Sequence, residues 1–228
     1  MFCMQNKLYF DNITLHEQDY LKAIFHLTFE SGLKEVGTNA LAEKLSLSPG
    51  SVNLMVKKLK SKTLVDYEKY GKISLTEKGK KIALSLIRKH RIWETFLHQK
   101  LNFKWEEVHQ IAEQLEHIES DLLVDRLEEF MNFPEFDPHG SKIPKMNQEY
   151  TIINHLKLTE CELGTKVKVT AINDNNVDLL KYATSIGIQI GTTILIKEFR
   201  SFDKSLLVMI DSKEFQITNT FASNVFCK

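Results

Sequence analysis

The sequence predicts a mainly α with α+β protein, with an N-terminal winged helix-turn-helix, a helical middle region and a C-terminal small β-barrel. Three observations predict this class: a helix, turn, helix and hairpin order at the start, long helical apolar patterns in the middle, and short β-type runs after a proline-rich stretch. The 228 residues are 43% hydrophobic and 26% charged, which is enough for several small cores. We place the domains at 1–80, 81–145 and 146–228.

The N-terminal region carries the signals of helix starts and of a hairpin. Thr14 is followed three residues later by Glu17, which is the pattern of a capping box before a helix. Ser48 can cap a later helix, with Pro49 at its first position, where the missing N–H costs nothing. The β-type runs within 64–75 predict a hairpin behind that helix. This order is typical of a winged helix-turn-helix.

Two long helical patterns and a β-rich segment follow. The first pattern, from Thr76 to about Leu101, is apolar on nearly every side and predicts a buried helix. The second, from Glu106 to about Ser120, is amphipathic. Beyond a proline-rich linker at 134–144, the chain predicts a small β-barrel with one helical insert, from β-type runs at 167–172, 194–199, 206–210 and 215–217 and a helix at 177–185.

The charges are balanced overall but unevenly distributed. The chain has 30 basic and 30 acidic residues, and this net charge of zero taken alone argues against a nucleic-acid binder. However, Lys57 to Arg91 holds twelve Lys or Arg against three acids, whereas Trp105 to Asp137 holds eleven acids against Arg126. This asymmetry predicts one region for a polyanion and another for cations, with two solvated helix faces as the alternative.

The helix after Pro49 is the candidate reading helix for double-stranded DNA. Its N-terminal end, which normally points at base edges, offers short polar side chains, and its later part offers lysines that can neutralise phosphate. We expect DNA contacts from Ser48, Ser51, Asn53, Lys57, Lys58, Lys60, Lys69 and Lys72.

A polar stripe on the amphipathic helix combines imidazoles with carboxylates. At about 100° per residue, positions i, i+4, i+7 and i+8 share one sector, and here they are His109, Glu113, Glu116 and His117. On the preceding helix, His90 and Glu94 add a pair at i, i+4. Mixed nitrogen and oxygen ligands without thiolate suit divalent first-row metals. A helix face that only meets water is the alternative interpretation.

Other classes of protein are disfavoured by missing motifs. Glu113-x-x-Glu116-His117 is close to the H-x-x-E-H motif of zinc hydrolases, but its first position is Glu. The sequence has no G-x-S-x-G, P-loop or dinucleotide turn, so we predict no enzyme and no catalytic residues. We expect no membrane segment, and three scattered cysteines without a secretory signal favour the cytoplasm.

Several separate motifs resemble those of one known family. They are Ser48-Pro49-Gly50-Ser51-Val52, Leu75-Thr76-Glu77-Lys78-Gly79, Arg88-Lys89-His90-Arg91, Glu113-x-x-Glu116-His117 and Asp137-Pro138-His139-Gly140. In this order they resemble the metal-dependent repressors of the diphtheria toxin repressor and manganese transport regulator family. The resemblance covers essentially the whole chain. It implies a homodimer that binds an operator with inverted repeats and represses metal-uptake genes, with an FeoA-like domain at the C-terminus.

The resemblance also implies two metal sites. The primary site would fall on Asp19, Glu113, Glu116 and His117, and the ancillary site on His90, Glu94 and His109, with Asp178 as candidate for a further ligand. Asp19 and Glu113 stand where iron-type regulators carry sulfur ligands, so we predict Mn²⁺, with Fe²⁺ as the alternative. Lys22 stands where two-domain manganese regulators carry a carboxylate, which disfavours a close pair of metal ions.

Two rival classes remain open at this point. A metal-independent winged-helix regulator could use the acidic stripe as a protein interface. A metalloenzyme would need an open coordination position and a cleft.

Overall fold

The chain forms two compact units. The structure, a computed structural model, describes residues 13–30, 32, 35–68, 72–146 and 148–228. The first unit comprises Met1–His90, Leu115–Phe130 and Pro144–Ile152, and the second comprises Arg91–Gln114, Met131–Ile143 and Ile153–Lys228. The three domain boundaries stay a prediction. Lys69 and the two residues after it, within the hairpin predicted at 64–75, lie outside the described residues.

The first helix begins at the expected capping box. Helix α1 spans Leu15–Phe25 and continues as a wider helical turn over His26–Glu30. Thr14 Oγ1 accepts a hydrogen bond from Glu17 N at 3.3 Å, and Thr14 N donates to Glu17 Oε2 at 2.8 Å. Two backbone donors that the helix start would leave unpaired are therefore satisfied.

The next elements complete a winged helix-turn-helix. Helices α2 (Thr38–Leu45) and α3 (Pro49–Ser61) are joined by a short turn, and Ser48 Oγ accepts from Ser51 N at 3.1 Å at the start of α3. Strands β1 (Val36–Gly37), β2 (Val65–Tyr67) and β3 (Lys72–Leu75) pair antiparallel in the order β1-β3-β2. The predicted winged helix-turn-helix is confirmed.

A continuous apolar core fixes α1 against the reading helix. It contains Leu21 and Ile24 of α1, Val52 and Leu59 of α3, and Ile73 of β3, all of them fully buried. Because buried side chains in such a core interdigitate closely, the relative position of α1 and α3 is tightly set within the first unit.

Three helices make up the middle region: α4 (Glu77–Leu101), α5 (Trp105–Leu115) and α6 (Asp121–Phe130). Helix α5 was expected to reach about Ser120, but it ends at Leu115, and this part of the prediction is wrong. Ile118 N turns back to Leu115 O at 3.1 Å, and Lys89 Nζ donates to Ile118 O at 3.0 Å. These contacts replace the helical hydrogen bonds, so Glu116 and His117 lie in a turn.

The second unit contains the antiparallel β-region. Its strands are β4 (Leu156–Lys157), β5 (Lys166–Ile172), β6 (Thr193–Phe199), β7 (Leu206–Ile210), β8 (Lys213–Ile217) and β9 (Val225–Cys227). They pair in the order β4-β9-β5-β6-β7-β8. Helix α7 (Val177–Ser185) and the short α8 (Asn219–Ala222) accompany the sheet. The predicted combination of helical and β regions is confirmed.

The apolar residues of the β-region form a core of their own, with Leu158, Val169, Ile194 and Val208 among its buried members. Within the described part of the chain, no helix combines the length and the apolar character that crossing a membrane requires.

Candidate metal centres and nucleic-acid interface

The first centre joins α1 to the turn after α5. We use this name for Asp19, Glu116 and His117, which each offer a ligand atom, all within 4.8 Å of one another. His117 Nε2 lies 3.2 Å from Asp19 Oδ1 and 3.9 Å from Glu116 Oε1. Three of the four residues predicted for the primary site are therefore brought together.

Gln18 orients the imidazole of this centre. Its side-chain oxygen lies 2.9 Å from His117 Nδ1 and accepts a hydrogen bond from it, so in the neutral ring Nε2 carries the lone pair and faces the carboxylates. A hydrogen bond to Asp19 raises the pKa of His117; burial opposes this rise, and the charge of Glu116 supports it. The role of Gln18 could not be predicted from the sequence, because an amide gives no metal-ligand signal of its own.

Lys22 of α1 also reaches this region. Its Nζ lies 2.6 Å from Glu116 Oε2 and 3.2 Å from His90 Nδ1, and His90 Nδ1 itself contacts Glu116 Oε2. Lys22 and His90 are both buried, and Glu116 is fully buried. His90, which was predicted for the ancillary site, is the last residue of the first unit. Glu94, four residues later on α4, belongs to the second unit.

The residues of the first centre fit a divalent cation. Glu116 Oε1 is buried and has no hydrogen-bond partner among the described residues. Such a buried carboxylate oxygen is costly unless a cation or donor compensates for it. With Asp19 and His117 beside it, the donor set is oxygen and imidazole nitrogen, as divalent first-row metals require.

The second centre lies within the second unit. We use this name for Glu94, His109 and Asp174. His109 Nδ1 lies 3.2 Å from Glu94 Oε1 and 3.5 Å from Asp174 Oδ2. Glu113, predicted for the primary site, belongs to this unit, and its Oε1 lies 3.6 Å from His109 Nε2.

The acidic residue beside His109 is Asp174 and not Asp178. Asp174 follows β5 in a turn where Asn173 Oδ1 accepts from Asn175 N at 3.0 Å. The side chain of Asp178 is 94% exposed and forms an ion pair at 4.0 Å with Lys181 of the same helix. The structure therefore places Asp178 on the outer surface of α7, away from the second centre.

His139 and Asp137 support the second centre from the loop before β4. His139 Nε2 lies 2.8 Å from Trp105 O, an acceptor, so Nε2 carries the proton and Nδ1 faces Glu94 Oε2 at 3.7 Å and Asp174 Oδ2 at 3.8 Å. Asp137 Oδ1 accepts from His139 N at 2.8 Å. Gly140 holds this loop close to β5, since a Cβ there would lie 2.0 Å from Thr170 O.

Protons balance the carboxylates of the second centre. Burial by itself would lower the pKa of His109, but Asp174 and Glu94 outweigh it and raise that pKa to about 10. Burial would likewise lower the pKa of His139, but Glu94 and the neighbouring acids raise it to about 9. Burial and the charge of Glu94 raise the pKa of Asp137 to about 7. For Asp174, burial would raise the pKa, but His109 and His139 hold it well below its usual range.

These residues also fit a divalent cation. Asp137 Oδ2 and His139 Nδ1 are buried and have no hydrogen-bond partner among the described residues. The donors are again carboxylate oxygen and imidazole nitrogen. Neither of the cysteines that the structure describes, Cys161 and Cys227, belongs to either centre.

Helix α3 presents most of the predicted DNA contacts to solvent. The exposed ones are Ser48, Ser51, Lys57, Lys58, Lys60 and, on β3, Lys72. Asn53 is half-buried, and its Oδ1 accepts a hydrogen bond from Tyr67 at 2.7 Å. Lys60 Nζ donates to Tyr67 O at 2.7 Å, and Lys72 lies 3.0 Å from Glu35. Several lysines of this surface are therefore held by neighbours while they remain accessible.

Glu17 connects α1 to the end of the reading helix. It is fully buried, and its carboxylate lies 3.2 Å from Lys58 Nζ and 2.8 Å from Lys62 Nζ. Burial would raise the pKa of Glu17, but the hydrogen bonds from Lys62, Thr14 and Lys58 lower it. Glu17, which precedes Gln18 and Asp19 on α1, thus anchors α3. This long-range contact has no signal in the sequence.

A winged helix with a basic reading helix, in one unit with a centre of carboxylates and imidazole, defines a class of DNA-binding proteins with a metal centre. Comparison with protein families gives the same class. Residues 12–73 match the N-terminal DNA binding domain of iron dependent repressors, residues 76–145 match their metal binding and dimerisation domain, and residues 156–228 match the FeoA domain. The chain belongs to the family of iron-dependent repressors and manganese transport regulators.

Individual relatives agree with this family. The HTH-type transcriptional regulator MntR of Oceanobacillus iheyensis is 36% identical over 116 residues, 51% of this chain and 77% of that protein. A solved manganese-dependent transcriptional repressor in complex with manganese has a TM-score of 0.84 and 32% identity, over 92% of this chain and 98% of that one. A probable metal transport system membrane protein of Chlamydia trachomatis is 42% identical over 76 residues, but the chain spans 17% of its length.

Proposed function

We propose that this chain is a manganese-dependent repressor that binds operator DNA as a homodimer and controls genes for metal uptake. The observation that carries the proposal is the buried Glu116 Oε1, which has no hydrogen-bond partner among the described residues and lies beside Asp19 and His117. Asp19 belongs to α1, and all three residues belong to the same unit as the basic reading helix. The similarity to MntR and to a manganese-dependent repressor supports the proposal. A DNA-binding repressor acts where the DNA is, so we also propose a cytoplasmic location.

Manganese is the metal that the donor set favours. Asp19 and Glu116 offer hard oxygen atoms, His117 offers a nitrogen, and neither of the described cysteines belongs to either centre. Oxygen-rich sites of this kind suit Mn²⁺, whereas thiolate and thioether ligands select softer ions. Fe²⁺ is the alternative. It is supported by the similarity to the iron-dependent repressor IdeR of Mycobacterium tuberculosis, which is 29% identical over 181 residues.

Helix α1 is the connection between the first centre and DNA. Asp19 would hold the cation together with Glu116 and His117, while Gln18 keeps the imidazole turned toward it. A bound divalent ion would supply positive charge between the carboxylates of Asp19 and Glu116. Because Glu17 of the same helix pairs with Lys58 and Lys62, a change in the position of α1 is passed directly to α3.

The exposed face of α3 is suited to the major groove. Ser51 and Asn53 lie near its N-terminal end and would read bases, and Lys57 and Lys58 would contact phosphate. A homodimer presents two such helices, so we propose an operator made of inverted repeats at a spacing set by the dimer. Coupling between metal and DNA would be about 1–3 kcal/mol if it follows typical allosteric systems.

Substitution of Glu116 tests this function most directly. Glu116→Gln keeps the shape of the side chain but removes the negative charge and replaces one acceptor oxygen by an NH₂ donor. We expect the variant to lose Mn²⁺-stimulated binding to the DNA upstream of its own gene, measured by fluorescence anisotropy with added metal or with chelator. Glu119→Gln, on an exposed residue three positions later, is the matched control and should behave as the unchanged protein.

The alternative, a metal-independent regulator, predicts a different outcome. Its DNA affinity would be equal with Mn²⁺ and with chelator in the unchanged protein, and calorimetry would detect no metal binding. We infer that the chain is not an enzyme, because the matched domains are DNA-binding and metal-binding modules of repressors.

A further inference from the structure

Leu54 is an exposed apolar residue on the outer face of the reading helix α3. Val52 and Val56, two positions before and after it, are fully buried and fix the inner face of this helix. At about 100° per residue, Leu54 lies about 160° around the helix from each of them, so its side chain points away from the core. Leu54 is accordingly 72% exposed. The packing of the first unit therefore does not require an apolar residue at this position.

The residues around Leu54 indicate what this face binds. Ser51, Lys57 and Lys58 lie three or four positions away, share its sector of the helix and are all exposed. Lysines at this place favour a polyanion, because they neutralise phosphate. Gly50, one turn before Leu54, has no side chain that would hold the helix away from a ligand. Leu54 is therefore the longest exposed side chain in the N-terminal half of α3, and in a groove it would reach furthest.

The major groove of DNA offers one apolar group to such a side chain. Its base edges present hydrogen-bond donors and acceptors, and thymine adds the 5-methyl group. Contact between leucine and this methyl group removes apolar surface of both from water. Cytosine lacks the methyl group and presents an amino donor, which leucine would leave without a partner at a cost in free energy. The position opposite Leu54 therefore fits thymine.

We propose that Leu54 is a specificity-determining residue that reads the 5-methyl group of a thymine in each half of the operator. This inference rests on the proposed function, because it assumes that α3 enters the major groove of operator DNA. Ser51 and Asn53 would supply polar contacts on either side of Leu54. Asn53 is already oriented for this role, since its Oδ1 accepts a hydrogen bond from Tyr67 at 2.7 Å.

Removal of single methyl groups from the DNA tests the proposal on the full chain. Deoxyuridine differs from thymidine only in lacking the 5-methyl group. A duplex is selected from random sequence by the Mn²⁺-loaded protein, and each of its thymines is then replaced in turn by deoxyuridine. We expect at least one replacement in each half-site to weaken binding about fourfold, as one buried methyl group predicts. Fluorescence anisotropy measures the affinities.

Leu54→Ala removes the other half of the contact. Alanine is a good helix former at this exposed position, so we expect the fold to be retained. The variant should bind the thymine duplex several-fold more weakly, and it should bind the thymine and deoxyuridine duplexes equally at the position that Leu54 reads. Leu163→Ala, at an exposed leucine of the second unit, is the matched control and should keep the fourfold discrimination. A lower salt concentration keeps weak binding measurable, since phosphate contacts strengthen as salt falls.

Three results would overturn the proposal. The first is a selected duplex in which no replacement of thymine by deoxyuridine weakens binding. The second is that Leu54→Ala discriminates every sensitive thymine as strongly as the unchanged protein, since other side chains would then contact those methyl groups. The third is complete loss of binding by Leu54→Ala at low salt, which exceeds the effect of one methyl contact. Failure of the Mn²⁺-loaded protein to select any duplex would instead refute the proposed function, and the role of Leu54 with it.

Discussion

The two centres are built from the same side-chain types but balance their carboxylates differently. In the first centre, Glu116 pairs with the ammonium of Lys22, which can leave only if the side chain moves. In the second centre, Glu94 and Asp174 are balanced by His109 and His139, whose raised pKa values keep both rings protonated at neutral pH. A proton can simply be released to solvent. The two centres therefore differ in their metal-free charge balance although they share the same ligand types, and we expect this balance to affect how each centre would take up a cation.

The largest expected effect is a loss of Mn²⁺ affinity at the second centre when Asp174 is substituted. Asp174→Asn removes a negatively charged ligand from beside His109 and leaves the first centre unchanged. Loss of supporting groups alone costs metal sites about 10–100-fold in affinity, so loss of a ligand should cost at least about 100-fold at the second centre. Isothermal titration with Mn²⁺ should show one class of sites weakened and the other retained.

Asp178→Asn is the matched control, because Asp178 is the acidic residue that the sequence suggested for this place. Its exposed side chain predicts unchanged titration curves. Weakened Mn²⁺ binding in Asp178→Asn, with Asp174→Asn unaffected, would reverse the assignment.

The contrast between these two aspartates illustrates what the sequence can provide. The sequence predicted Glu94 and His109 for one site, and the structure brings the two side chains to 3.2 Å from each other. Both lie on helices whose periodicity is visible in the residue pattern. Asp174 lies in an irregular turn after β5, and its direction depends on how that strand ends and on the Asn173 turn. Neither feature has a periodic signal. The run Asn173-Asp174-Asn175 marks a turn but not which side chain points inward.

The fold was also predictable where the sequence carries a local signal, and not where a long-range contact decides the structure. The winged helix and the β-region were predicted because caps, prolines and alternating patterns are local signals. The end of α5 was mispredicted because a long-range contact, from Lys89 to Ile118 O, decides it. Long-range pairs such as Gln18 with His117 and Glu17 with Lys62 were likewise invisible in the sequence.

The next largest effect is expected from Glu17. In the proposed connection from metal to DNA, this residue of α1 joins the first centre to α3. Glu17→Gln retains the capping of α1, since glutamine also serves at this position of a capping box. It removes the charge that holds Lys58 and Lys62. Because Glu17 is buried while Lys58 is half exposed, we expect a loss of about 1–3 kcal/mol in the free energy of unfolding, measured by urea denaturation.

The same variant should also reduce the gain in DNA affinity on addition of Mn²⁺, with the metal count unchanged. Glu43→Gln on the exposed face of α2 serves as control. If Glu17→Gln responds to Mn²⁺ as strongly as the unchanged protein, α1 is not the connection between the first centre and α3. The comparison of the two centres would then rest on chemistry alone.

The smallest expected effect is a change in the free energy of unfolding with pH, caused by the histidines at the second centre. His109 and His139 have folded-state pKa values of about 10 and about 9, above the ordinary value of 6.5. Their contribution to stability is complete below pH 6.5 and is lost as the pH rises toward 10, because only the folded state retains these protons. Since His109 is partly exposed, we expect a loss on the order of 1–2 kcal/mol for the metal-free protein.

Metal binding at this centre should show the opposite dependence, because the proton on His109 must leave before its nitrogen can hold a cation. We therefore expect metal-free stability to fall and Mn²⁺ affinity to rise over the same range. Denaturation at several pH values, for the unchanged protein and for His109→Gln, measures the first trend. Titration in buffers of different ionisation enthalpy measures the protons released. If His109→Gln has the same stability profile as the unchanged protein, protons do not balance these carboxylates, and the contrast with the lysine of the first centre fails.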